Sequence, residues 1–276
     1  MDNNKLILLM YNQEKCKDIP VFILCGGLGT RLKEETEFRP KPMVSIGERP
    51  ILWHIMSYYR KHGFKKFILC LGFKSELIKS YFINYSFLNS DFTVNLLNNE
   101  VKVQSIDHNL DWEVTLVDTG QSSMTGARIA IAAEKYLGNI DHFAVTYGDG
   151  LTDADLNAEF EFHLNHKKIG TILGINPPSR FGEIRLNDEE VIEFNEKPEF
   201  LDEWINGGYF FFKREFLKYI SKDENCILEK QPLTNLSKDK QLNMFRHMGF
   251  WACMDTQRDR EHLTQLWNSG NAPWKI

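Results

Sequence analysis

The residues best suited to chemistry are few and widely spaced. Gly26-Gly27-Leu28-Gly29-Thr30-Arg31 sets three glycines, a hydroxyl and a guanidinium directly after the apolar run Val21 to Cys25. Bare backbone N–H groups at such a turn can approach an anion, and Arg31 adds a forked charge that matches a phosphate. Lys41 lies between Pro40 and Pro42, which are expected to keep it out of a helix and give its ammonium a defined direction. Asp149 sits between Gly148 and Gly150 at the end of a second apolar run, His142 to Tyr147. The flanking glycines leave space around its carboxylate, as a hydrated magnesium ion requires. Asp255 interrupts a largely apolar stretch near the C-terminus. Taken together, this inventory suits phosphoryl chemistry. N–H groups and cations hold phosphates, while two aspartates hold Mg²⁺ that neutralises developing charge.

Each feature alone has a plainer reading. The glycines fit any tight strand-to-helix turn, and Asp149 and Asp255 fit turn or capping positions. The two common nucleotide motifs are absent. A Walker A loop ends in Gly-Lys-Ser/Thr, whereas Thr30 follows Gly29, and the dinucleotide fingerprint needs a third glycine where Leu32 stands. No Ser/His/Asp order or Cys/His pair stands out. His163 and His166 share a helix face but lack a third ligand, so they read as surface histidines.

Composition sets outer limits. The chain has 276 residues, 42% hydrophobic and 26% charged, with a net charge of −5. That is ordinary globular composition with no basic field for nucleic acid. The five cysteines are odd in number and without CxxC spacing, which points to a reduced, cytoplasmic setting. Leu6 to Met10 is too short for a signal or membrane segment, so no membrane association is expected.

The elements that must position these residues alternate. Strands are predicted over 20–26, 67–71, 142–147 and 169–175, with helices over 50–62, 75–82, 124–136 and 153–166. Such an order implies mostly parallel strands with right-handed crossovers. Short β-prone pieces over 91–118 read as a small insertion or sheet edge, and Phe181 to Asn195 as a hairpin. Thr256 is suited to cap a closing helix. Residues 1–18 read as an N-terminal extension, either flexible or an extra edge element, before a single domain over 19–276. Arg128, early in the 124–136 helix, is placed to reach an anion at the helix mouth. Glu196-Lys197-Pro198 and Asn206-Gly207-Gly208 offer a stiffened charged pair and an open backbone for a ligand.

These stretches resemble the sugar-1-phosphate nucleotidyltransferases over roughly residues 20–275. The glycine loop resembles the family's signature, Pro40-Lys41-Pro42-Met43 its Pro-Lys-Pro segment, and the Glu-Lys-Pro and Asn-Gly-Gly runs its sugar-phosphate segments. Longer matches point to the cytidylyltransferase branch. They are Val114 to Gly120, Ser123-Met124-Thr125-Gly126, Pro177 to Gly182, Gly249-Phe250-Trp251 with Met254-Asp255-Thr256, and Ala272-Pro273-Trp274-Lys275. The resemblance implies an α/β fold with a Rossmann-like, mixed, mostly parallel sheet flanked by helices. It implies CTP and α-D-glucose 1-phosphate as substrates, Mg²⁺ as cofactor, and a homo-oligomer with sites near subunit interfaces. By the same resemblance, Lys41, Arg31 and Asp149 are catalytic, and Asp149 and Asp255 hold the metal. Leu24, Gly26, Gly27, Gly29, Thr30, Arg31, Lys41, Thr119 and Arg128 bind the nucleotide. Tyr147, Glu196, Lys197, Asn206 and Gly207 bind the sugar phosphate. Spacing alone leaves open UTP or dTTP, a different sugar phosphate, or a non-catalytic nucleotide-binding subunit. Cys25 stands where the family usually has alanine, which leaves two readings: a small and silent replacement, or a thiol beside the base, open to alkylation.

Overall fold

Seven strands make the central sheet, and their order explains where the site lies. They are β1 (Pro20–Cys25), β2 (Lys66–Leu71), β3 (Glu113–Asp118), β4 (His142–Tyr147), β5 (Gly170–Ile175), β6 (Ile205–Lys213) and β7 (Leu242–His247). The order across the sheet is β7-β5-β6-β4-β1-β2-β3. The computed structural model describes residues 15–104, 111–176, 183–195 and 204–275. Glu196, Lys197 and the expected extension up to residue 14 lie outside the described residues.

Strand β1 runs parallel to both β2 and β4, and β2 parallel to β3. Only β6 opposes its neighbours, pairing antiparallel with β4 and β5, while β5 and β7 are parallel. The expected mixed, mostly parallel sheet is therefore present. Registers Leu24↔Tyr147, Cys25↔Leu71 and Leu71↔Asp118 bring the carboxyl ends of four strands to one edge. In open α/β sheets that edge is where ligands bind. Because β6 runs the other way, its start, Asn206 to Gly208, arrives at the same edge.

Both faces of the sheet are covered, as the continuous apolar strands require. Helices of eight or more described residues are α1 (Ile51–Lys61), α2 (Ser75–Ile83), α3 (Thr125–Tyr136), α4 (Leu156–Asn165), α5 (Gln231–Lys238) and α6 (Gln257–Asn268). Val21, Ile23 and Cys25 of β1 face one core with Ile55 and Tyr59 of α1, Phe160 of α4, Leu263 of α6 and Trp274. Phe22 points the other way, into a core with Ile129 and Ala132 of α3 and Leu236 of α5. The alternation is the period-2 geometry of a strand buried on both sides. Cys16, within the expected extension, is 1% exposed and packs in the first core.

Four small ribbons lie outside the main sheet among the described residues, and two of them bear on the expected elements and the site. Phe92–Asn95 pairs with Glu100–Val103, which is the expected insertion, while Glu113–Asp118 forms the sheet edge. Gly150–Thr152 pairs antiparallel with Trp251–Cys253. That second ribbon matters most, because it carries one aspartate at each side.

Candidate active site

The glycine turn leaves β1 and enters a short turn over Thr30–Leu32. Gly29 has φ +63°, a conformation that L residues rarely adopt, and an added Cβ would meet Thr36 at 2.7 Å. Thr36 fixes the turn from beneath: its buried hydroxyl donates to the carbonyls of Gly29 and Leu32. Pro40 is extended and a single 3₁₀ turn spans Lys41–Met43, so Lys41 heads that turn instead of lying in an open loop.

The two distant aspartates are joined by backbone. Gly150 pairs with Cys253, and the Met254 N–H donates to the Asp149 carbonyl at 2.8 Å. Asp255 is then held by α6, whose capping residue Thr256 forms a box with Asp259. The Asp259 carboxylate also accepts the Asp255 N–H at 3.1 Å. The cap reading of Thr256 and the site reading of Asp255 are therefore both served by one turn.

The charged groups converge. The Lys41 ammonium lies 2.7 Å from Asp149 and 2.6 Å from Asp255, and Arg31 lies 2.7 Å from the second oxygen of Asp255. Lys41 is mostly covered, with its side chain 12% exposed, whereas Arg31 is 74% exposed. Burial alone would lower the Lys41 pKa, but the bonds and charges of Asp149 and Asp255 carry it above its ordinary value. Burial likewise pushes Asp255 up, and Lys41 followed by Arg31 carries it below the usual carboxylate value. Among the described residues no cluster of three or more His, Cys, Asp or Glu could hold a metal. The donors here are a pair of carboxylates.

A pocket opens beside this group, lined by the glycine turn with Arg31 and Lys41, by Ser123 to Thr125, and by Tyr147 to Asp149. Leu24, Gly26, Gly27, Gly29 and Thr30 all line it, as expected of nucleotide-facing residues. Tyr147 and Asn206 adjoin one another, with the Asn206 amide donating to the Tyr147 hydroxyl at 3.0 Å. Gly208 has φ +78°, and a Cβ there would lie 2.4 Å from the Tyr147 ring.

Two expectations change. Arg128 is 4% exposed and offers no free fork to an anion. Its guanidinium donates to the carbonyls of Leu71, Gly120, Gly26 and Gln121 and to the Thr119 hydroxyl, at 2.7–3.2 Å. Thr119, in turn, donates to the Leu71 carbonyl at 2.6 Å and is 2% exposed. Both residues therefore brace the glycine turn from behind, and Arg128 also lines the pocket beside Ser123 to Thr125. The space comes from Gly26 and Gly72, where a Cβ would lie 2.2 and 2.4 Å from that guanidinium. Cys25 is fully buried, and burial drives its thiol well above its ordinary pKa. It is not the reactive thiol expected beside the base, since the thiolate is the nucleophile.

Residues not foreseen also shape the pocket. The Trp251 indole N–H donates to the Gly207 carbonyl at 2.7 Å and fixes the start of β6. Glu229 accepts hydrogen bonds from both Tyr147 and Thr125. Trp251 lies in a quoted motif, but nothing local to Glu229 in the sequence marks it.

A sheet with a glycine-rich turn, paired cations and paired carboxylates at its carboxyl edge defines a protein that handles phosphate esters of a nucleotide. Residues 20–252 match the model of the family described as Nucleotidyl transferase, and the chain belongs to that family. The glucose-1-phosphate cytidylyltransferase of Salmonella typhimurium is 46% identical over 253 residues, covering 92% of this chain and 97% of its own length. Mannose-1-phosphate guanylyltransferase catalytic subunit beta of Danio rerio is 28% identical, over 88% of this chain and 62% of its own. Among solved structures, HddC from Yersinia pseudotuberculosis complexed with GMP-PN superposes with a TM-score of 0.64 at 24% identity. The match covers 90% of this chain and 99% of that one, and it bears on the fold alone.

Proposed function

We propose that the chain transfers the cytidylyl group of CTP to α-D-glucose 1-phosphate. A phosphate oxygen of the sugar phosphate bonds to the α-phosphorus of CTP, the bond from that phosphorus to the bridging β-oxygen breaks, and pyrophosphate leaves. The products are CDP-glucose and pyrophosphate. The observation that carries the chemistry is the convergence of Lys41, Asp149 and Asp255 beside the glycine turn. Base and sugar are supported by the 46% identity with the Salmonella enzyme.

In this reading Gly26, Gly27, Gly29 and Thr30 bind the triphosphate through N–H groups and a hydroxyl. Arg31, the most accessible cation of the group, meets phosphate charge that grows as pyrophosphate departs. Asp149 and Asp255 hold a divalent cation, Mg²⁺. The donor set fits: two hard carboxylates already aim at one cationic centre, and Mg²⁺ keeps several waters and substrate oxygens as its other ligands. When bound, the ion supplies charge neutralisation on the phosphate oxygens. Lys41 exchanges its carboxylate partners for phosphate oxygens as the nucleotide arrives. Tyr147, Glu196, Lys197, Asn206 and Gly207 bind the sugar phosphate. Arg128 and Thr119 serve the nucleotide indirectly, by fixing the turn. Positioning and electrostatics suffice, with no protein nucleophile. The family resemblance extends the reading to a homo-oligomeric cytoplasmic enzyme.

The test is pyrophosphate release with each of CTP, UTP, dTTP and GTP, with glucose 1-phosphate and Mg²⁺. CTP is expected to be the preferred substrate. No release with CTP overturns the assignment.

A further inference from the structure

Glu229 links two residues of the pocket lining, Thr125 and Tyr147. It precedes α5, far in sequence from either of them, and is exposed. One oxygen accepts from the Tyr147 hydroxyl at 2.6 Å. The other accepts from the Thr125 hydroxyl at 2.7 Å, and that same hydroxyl accepts the Leu228 N–H at 2.9 Å. The Tyr147 hydroxyl also accepts from Asn206 at 3.0 Å. The phenol is thus held at both its donor and its acceptor side, and its ring packs against Gly208 with no room for a Cβ. A phenol that otherwise rotates about its C–O bond is fixed to a single orientation, with its proton on Glu229.

We infer that Glu229 is a positioning residue for the sugar side of the site, acting through the Tyr147 hydroxyl. This rests on the reading of Tyr147 and Asn206 as sugar-facing groups. With its proton committed to Glu229, Tyr147 offers its remaining lone pair, and the Asn206 amide its second N–H, toward the pocket. A sugar hydroxyl is both donor and acceptor and can satisfy the two together. Loss of Glu229 frees the phenol to rotate, and the sugar must then order it on binding.

The test is steady-state kinetics of Glu229→Ala, Glu229→Gln, Tyr147→Phe and the double variant Glu229→Ala/Tyr147→Phe. Glu229→Ala is expected to raise KM for glucose 1-phosphate by roughly tenfold, the cost of one charge-assisted hydrogen bond, with KM for CTP within about twofold. Glu229→Gln keeps an acceptor for Tyr147 and restores most of the loss. In the Tyr147→Phe background, Glu229→Ala adds nothing further, because its route to the sugar is gone. Additive losses, or equal rises in both KM values, overturn the inference, as does unchanged KM in Glu229→Ala. Thermal melting separates these from a folding defect, and Glu229→Gln keeps the question answerable should the alanine variant not fold. Failure of the substrate reading shows in the unaltered protein, as no turnover of this pair. The same variants are then compared with whichever sugar phosphate it does use.

Discussion

Two groups of charged and polar side chains in this chain are built by opposite rules. At the carboxyl edge, Lys41, Arg31, Asp149 and Asp255 are partly open and mutually paired. Inside the core, Glu159 and His163 of α4 are fully buried. There His163 lies 3.1 Å from His142 and 2.9 Å from Thr171, which is also 2.7 Å from His166. Neither Glu159 oxygen has a hydrogen-bond partner among the described residues. Burial lowers His163 to about 3, aided by His142 and His166, and raises Glu159 to about 8. The edge group keeps its charges and cancels them against one another; the buried group sheds charge altogether. Paired, accessible charges can be exchanged for those of an incoming ion or phosphate. Groups neutralised by burial cannot, so they act on stability.

The sharpest way to break this contrast is at the edge. Asp149→Asn keeps the shape and removes one of the two carboxylate charges. It is expected to lower turnover by at least about a hundredfold with an unchanged melting temperature; near-normal turnover would remove its metal role. Lys41→Met adds a less obvious outcome. Two carboxylates facing two cations are neutral, so the ammonium competes with a free divalent ion for the same oxygens. Without it, turnover is lost, yet Mn²⁺ titrated calorimetrically into the nucleotide-free protein should bind about tenfold tighter. Weaker or equal binding would show that the lysine does not occupy the metal's place.

Next in size is Arg128, which belongs to the site by position but to the buried group by construction. Its donors meet four carbonyls and a hydroxyl, all inside the protein. Arg128→Met leaves those acceptors unpaired and is expected to cost on the order of 3 kcal/mol in denaturant unfolding. Arg128→Lys should recover little, because an ammonium cannot fork to five acceptors. A fully stable lysine variant would contradict the bracing role.

Much of this was legible in the sequence, and the exceptions have physical causes. Strands such as Val21 to Cys25 and His142 to Tyr147 announce themselves, because burial on both faces leaves continuous apolar runs. The reversed direction of β6 was not legible, since Tyr209 to Phe212 is equally apolar either way. Lys41, Asp149 and Asp255 were recognisable from their flanking prolines, glycines and apolar neighbours. Arg128 misled because its space comes from Gly26 and Gly72, distant in sequence and visible only once folded. His163 was misread for a local reason. Attention to its spacing from His166 passed over Leu156, Glu159, Phe160 and His163, which follow i, i+3, i+4, i+7 and are all buried.

The smallest effect lies in that buried group, and its sign can be worked out. In the unfolded chain Glu159 ionises near its ordinary value of 4.5, whereas the folded protein keeps it protonated to about 8. Between those values unfolding releases a proton, so rising pH favours the unfolded state and stability declines until about pH 8, then levels off. The histidines act oppositely. Burial holds His54 and His62 near 4 and His163 near 3, so each takes up a proton on unfolding as the pH falls below about 6.5. From pH 6.5 to 8 the Glu159 contribution falls by roughly 2 kcal/mol, while the three histidines, half-protonated at pH 6.5 in the unfolded chain, offset it by about 0.4 kcal/mol each. Glu159→Gln mimics the protonated acid in shape and cannot ionise. Denaturant unfolding at pH 6.5 and pH 8 should therefore show the unaltered protein losing roughly 2 kcal/mol relative to the glutamine variant over that span. Equal changes in both would mean that Glu159 is already ionised at pH 6.5, and the division between a charged edge and a neutral interior would fail at that residue.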